Sequence, residues 1–185
     1  ATQPAYVNEL EQIFPKLKLA ETAQTVTIAD FFFLKKYVGS CLKDSRSSQL
    51  RALLTLFLRR LQSGKLLMSD LYDEFFNLLL KTVFEDATLT SHIYRLLDYI
   101  LDKVTNPAPL LDALRRKQAK VDTEYPDTIL QIWHYYILFR HSNDMDRRSI
   151  IVALKNKHFN PLVAAAMVSP GKGQNKELYK LIRDS

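Results

Sequence analysis

Glycine is scarce, with four residues in 185, against roughly 7% in an average soluble chain. Sandwiches, barrels and Gly-dependent nucleotide folds, which need many tight turns and close backbone approaches, are therefore disfavoured. Long apolar runs are also missing. None reaches the roughly 20 residues of a bilayer-spanning helix, and the opening ATQPAYVNEL has neither the basic start nor the apolar stretch of a secretory leader. We therefore read the chain as soluble and intracellular, with no membrane contact. Cysteine is reduced to Cys41 alone, so no internal disulfide forms, which fits a reducing compartment.

What is present is 47% hydrophobic and 25% charged, enough for a real core. The periodicity is helical. Leu50, Leu53, Leu54, Phe57, Leu58 and Leu61 form one stripe at i, i+3, i+4, i+7, and Leu89, Ile93, Leu96, Leu97, Ile100, Leu101 and Val104 form another. Two overlapping stripes, Leu71-Phe75-Leu78-Leu79 and Tyr72-Phe76-Leu80-Val83, imply a helix covered on more than one side. With proline and glycine as punctuation, the spacing predicts helices at 4–14, 24–39, 46–62, 69–84, 88–104, 107–120, 126–140, 145–156, 161–168 and 174–183. Ser45, Ser69, Thr88, Asn106 and Asn160 are the expected N-caps.

Successive helix pairs start about 38 to 45 residues apart, a HEAT-type period. The fold expected is an all-α, HEAT-like helical-repeat solenoid of about nine or ten helices, the alternative being an irregular helical bundle. Residues 1–185 read as a single helical-repeat domain. Its abrupt ends fit a fragment of a longer chain.

Chemistry has few footholds. His92, His134, His141 and His158 are scattered, with no carboxylate at a ligand spacing, and Cys41 has no local histidine. The stretch 169–176, Ser-Pro-Gly-Lys-Gly-Gln-Asn-Lys, fails the phosphate-loop spacing and follows a helical segment, so it reads as a flexible connector. Acidic pairs fall at helix edges or in loops. We expect no enzyme activity, catalytic residue, cofactor or metal.

Two groups of residues exceed what a core needs. Phe31, Phe32 and Phe33 are consecutive, and three helical neighbours span about 200°, so at least one ring stays out of the core. Trp133, Tyr135, Tyr136 and Phe139 crowd one helix almost all round. These seven are the partner-binding candidates, since aromatic anchors dominate protein interfaces. The basic-patch candidates are Arg59, Arg60 and Lys65; Arg115, Arg116, Lys117 and Lys120; and Arg147, Arg148, Lys155 and Lys157. Of the net charge of +6, +5 lies from Arg140 onward. Aligned along a repeat edge these cations would meet nucleic-acid phosphates, which makes a nucleic-acid-associated module the alternative to a scaffold binding partner helices.

A resemblance to a family rests on Leu10 to Pro15 (LEQIFP), Ser48 to Leu61 (SQLRALLTLFLRRL), Leu71-Tyr72 followed by Phe75-Phe76, His92 to Leu97 (HIYRLL), Leu110 to Lys120 with its KQAK, and the helix ending at Phe139. From Asn8 to Phe139 the chain resembles the N-terminal helical-repeat region of the centromere protein I family. The resemblance implies a non-enzymatic inner-kinetochore scaffold in the nucleus, binding helical parts of centromere proteins H and K. The segment Leu101 to Pro109 and the tail after His141 depart from the family pattern, so no family binding residue is carried over.

Overall fold

A computed structural model describes residues 23–156. The helices expected at 4–14, 161–168 and 174–183, the cap Asn160 and the connector 169–176 lie outside the described residues. The chain is predominantly α-helical, and the described part divides after Ile100 into two compact units.

In the first unit, Gln24–Thr25 (β1) pairs in parallel with Leu66–Leu67 (β2), in the register Gln24 to Leu66. This short pairing displaces the first described helix, α1, to Ile28–Lys43, about four residues later than its apolar spacing suggests. Thr27 starts it with a capping box. Its hydroxyl accepts from the Asp30 N–H at 3.1 Å, and the Asp30 carboxylate accepts from the Thr27 N–H at 3.0 Å. Gly39 does not end α1, because Val38 and Cys41 continue the buried stripe of Phe31 and Leu34 beyond it.

The end comes at Ser45, expected as a cap of the next helix but found at φ +56°. There Arg46 N–H donates to the Cys41 carbonyl and Ser45 N–H to that of Leu42. This left-handed closing pattern usually employs glycine. The next helix, α2 (Ser47–Gln62), follows Arg46 without a side-chain cap and closes the same way on Gly64, at φ +72°.

The helices α3 (Tyr72–Glu85) and α4 (Thr90–Lys103) each follow a 3₁₀ turn, 69–71 and 87–89. Ser69 lies within the first turn, and no side chain caps α3. At the second, Asp86 takes the capping part expected of Thr88, its carboxylate accepting from the Thr88 N–H at 3.1 Å. Leu50, Leu53, Leu54, Phe57 and Leu61 of α2 face the core, and α3 buries Phe75, Phe76, Leu79, Leu80 and Val83. Each such side chain contributes about 1.5–3 kcal/mol. The Phe57 and Phe75 rings lie 5.6 Å apart.

The helix α1 packs against both α2 and α3. Ser47 Oγ donates to Asp86 Oδ2 beside the starts of α2 and α4, and Tyr99 Oη donates to the Leu61 carbonyl at 2.7 Å near their ends. These two helices therefore run in the same direction. Helix α3 starts 44 residues after α1, and α4 starts 43 after α2.

In the second unit, the helix expected at 107–120 is two, α5 (Ala108–Arg116) and α6 (Gln118–Glu124), broken at Lys117. The N-cap of α5 is Pro107, one residue after the expected Asn106, whose Oδ1 still accepts from the Ala108 N–H at 3.2 Å. Helix α7 (Ile129–His141) begins at its cap Thr128 and is packed by α5, α6 and α8 (Asp144–Asn156). Every residue from Leu130 to Phe139 is buried.

An arginine closes the far end of α7. Arg147 donates to the carbonyls of Phe139 (2.9 Å) and Arg140 (3.1 Å) while its guanidinium lies 5.0 Å from the Phe139 ring centre. Replacing Arg147 with Met keeps the aliphatic stem and deletes the donors. Urea unfolding of this variant is expected to show a loss of about 1–2 kcal/mol; an unchanged midpoint would deny the guanidinium this capping role. Among the described residues no helix is long and apolar enough to cross a membrane.

Candidate functional site

The capping box at Thr27 sets the rotation of α1, and the stripe Phe31, Leu34, Val38 and Cys41 turns one side of it into the core. At 100° per residue the opposite side carries Ile28, Phe32 and Phe33 together with Ala29, Gly39 and Ser40. The Phe triplet divides as its angular span requires. Phe31 is 4% exposed, whereas Phe32 and Phe33 are 55% and 50% exposed, and Ile28 is 79% exposed.

Ile28 and Phe32 are i, i+4 neighbours and so form one ridge. Phe32 meets Phe33 edge-on, with ring centres 6.2 Å apart. Lys36, one turn on, holds its ammonium 4.7 Å from the Phe32 ring centre, a cation–π contact that keeps the ring oriented at the surface. With Lys35 and Lys43 also exposed, the result is a ridge of apolar side chains on a rigid helix, bordered by positive charge and followed by small residues. A second helix could lay its own apolar stripe there. The sequence reading missed Ile28; its signal was the four-residue spacing to Phe32.

The other aromatic candidates go elsewhere. Trp133, Tyr135, Tyr136 and Phe139 are buried inside the second unit, because α7 is surrounded on all sides. Trp133 and Tyr136 pack edge to face at 5.7 Å. They are core, and as placed they offer nothing to a partner.

Beside them lies a polar network that the sequence reading did not anticipate. The Asp122 carboxylate accepts from Gln118 Nε2 (3.1 Å), Gln131 Nε2 (2.8 Å) and Tyr135 Oη (3.0 Å). Burial, with the hydrogen bond and charge of Asp122, pushes the Tyr135 hydroxyl well above its ordinary range. His134 is sealed in the same helix with Nε2 2.7 Å from the Leu114 carbonyl, and burial lowers its pKa to about 4 despite that contact. The carbonyl can only accept, so Nε2 carries the proton. Satisfied in this way, the residue is a structural donor joining α7 to α5.

Three of the basic candidates are engaged within the fold. Arg115 pairs with Asp112 (3.0 Å) and Asp146 (3.1 Å), Lys120 with Glu124 (3.8 Å), and Arg147 caps α7. Arg60 is half-buried, and Arg59, Lys65, Arg116, Lys117 and Arg148 are exposed. Lys155 lies on α8, and Lys157 lies outside the described residues. Among the described residues no three His, Cys, Asp or Glu side chains converge as metal ligands.

Comparison with protein-family models, with curated proteins and with solved structures returns no match for this chain.

Proposed function

We propose that this chain is a non-enzymatic interaction scaffold whose outer α1 face receives an amphipathic helix from a partner protein. The observation that carries this reading is the exposure of Ile28, Phe32 and Phe33 on one side of a helix whose other side is committed to the core. Rigid aromatic rings lose little entropy on docking and commonly act as hot spots. Lys35, Lys36 and Lys43 around them favour a partner helix with acidic residues flanking its apolar stripe.

The scaffold we propose is a HEAT-like stack. Its support is the 43–44-residue offset between α1/α2 and α3/α4, the packing of α1 on α3 and the shared direction of α2 and α4. The resemblance to the centromere protein I family makes helical segments of centromere proteins H and K the first partners to test, and the nuclear centromere the first location to examine. The alternative, a nucleic-acid module, is weakened by the internal pairing of Arg115, Lys120 and Arg147.

The double variant Phe32→Ser, Phe33→Ser tests the proposal. Its helical circular dichroism and unfolding midpoint should match the parent, while affinity for the helical segments of centromere proteins H and K falls by more than about tenfold. Binding through an apolar ridge should also change little from low to physiological salt, whereas phosphate contacts weaken steeply over that range. Equal affinity of the parent and the double variant would remove α1 as the docking face. Tight, salt-sensitive binding of duplex DNA without protein binding would favour the alternative.

A further inference from the structure

A second, independent feature lies on the first unit where α2 and α4 run alongside each other. The Ser47–Asp86 hydrogen bond fixes the register of the two helix starts. One turn beyond Ser47, on the same face of α2, stands Arg51; one turn beyond Thr88 stands His92, and Arg95 follows three residues later on the same face of α4. Both arginines are exposed, and neither takes part in an ion pair among the described residues.

Asp86, a carboxylate within the electrostatic reach of Arg51, is already occupied. It accepts from the Ser47 hydroxyl, the Thr88 hydroxyl and the Thr88 N–H. Partial burial would raise its pKa, but those hydrogen bonds and the Arg51 charge bring it below the ordinary range.

His92 is a donor in this setting. Its Nδ1 is buried without a partner. A bare lone pair there costs less than an N–H with no acceptor, so the proton of the neutral ring belongs on Nε2. Burial and then the charges of Arg95 and Arg51 hold the ring below its ordinary pKa, so it stays neutral at pH 7. The register set by Ser47 and Asp86, with the charges of Arg95 and Arg51 felt at His92, places two guanidinium groups beside one imidazole, a donor set suited to a tetrahedral oxyanion. Glu85, exposed beside Asp86, and Asp98, one turn beyond Arg95, bracket the cluster. A polyanionic strand would run onto these carboxylates, whereas one isolated phosphate would not.

We propose that Arg51, His92 and Arg95 form a binding site for a single phosphomonoester group. Two sources share this chemistry, a phosphorylated side chain on a partner polypeptide and a small phosphorylated metabolite. The test is an NMR titration of the chain with O-phosphoserine, inorganic phosphate and a phosphoserine peptide, following the His92 ring and the Arg51 and Arg95 Nε–H signals. Saturable shifts at all three residues are expected, with affinity reduced about tenfold or more in Arg51→Gln and in Arg95→Gln and circular dichroism unchanged.

A peptide that binds more tightly than inorganic phosphate identifies the polypeptide source, equal affinity identifies the small-molecule source, and either upholds the site. Shifts that fail to saturate, or that persist undiminished in the double Gln variant, overturn it. Tighter binding of a single-stranded oligonucleotide than of the phosphoserine peptide also overturns it, because the cluster would then belong to a nucleic-acid track. The α1 face does not enter this test, so either proposal can fail while the other stands.

Discussion

Phe31→Ala is expected to destabilise the protein by about 3–5 kcal/mol, while Phe32→Ala and Phe33→Ala each change stability by less than about 1 kcal/mol. The three rings are chemically identical and adjacent, so the contrast isolates their surroundings. Phe31 is 4% exposed and lies in line with Leu34 and Val38 on the core side of α1. Its removal leaves a cavity that a helix held by its capping box and by contacts to α2 and α3 cannot collapse to fill. Phe32 and Phe33 already meet solvent over half their surface, so truncating them returns little buried area to water. Urea unfolding followed by far-UV circular dichroism measures all three. Three equal losses would contradict the orientation of α1 and, with it, the proposed docking ridge.

Acidification should produce the second large effect. The folded-state pKa of His134 is about 4, whereas an unfolded histidine titrates near 6.5. Between these values the unfolded chain binds the extra proton and the folded chain does not, so stability falls as the pH drops through that window. The full contribution of His134 is present above about pH 6.5, and the loss levels off below about pH 4. At 1.36 kcal/mol per unit, the expected cost is about 3 kcal/mol.

Because His92 is also held low, the wild-type slope alone does not isolate His134. The comparison with His134→Gln does. An amide retains a donor for the Leu114 carbonyl but does not titrate, so the variant should lose most of the slope between pH 6.5 and 4. Trp133, the only tryptophan, adjoins His134 in α7, and its fluorescence reports the unfolding of this unit. Identical pH slopes for the parent and the variant would show that His134 takes up its proton without unfolding.

Much of the helical architecture was legible because a helix converts sequence spacing into angle. The stripe Leu89 to Leu101 is buried as its spacing demands, that at Leu50 to Leu61 is buried except for the half-buried Leu58, and the doubled stripe of α3 is covered on two sides. Boundaries were less legible where a partner distant in sequence intervened. The start of α1 moved because Gln24–Thr25 pairs with Leu66–Leu67, and Ser45 ended one helix where it was expected to start another. No local signal marked the break at Lys117 between two stretches that both favour helix.

The candidate site was half legible. By itself the sequence determined the helical class, the apolar stripes and the impossibility of sending all of Phe31, Phe32 and Phe33 inward, since each follows from the fixed rotation per residue. Only the tertiary structure decided that Phe31 enters the core while its two neighbours stay out, that the α7 aromatics are enclosed, and that Arg147 closes a helix end. The reason is that periodicity orients side chains about one axis, whereas burial and pairing depend on which other elements come alongside, and those lie tens of residues away in the chain.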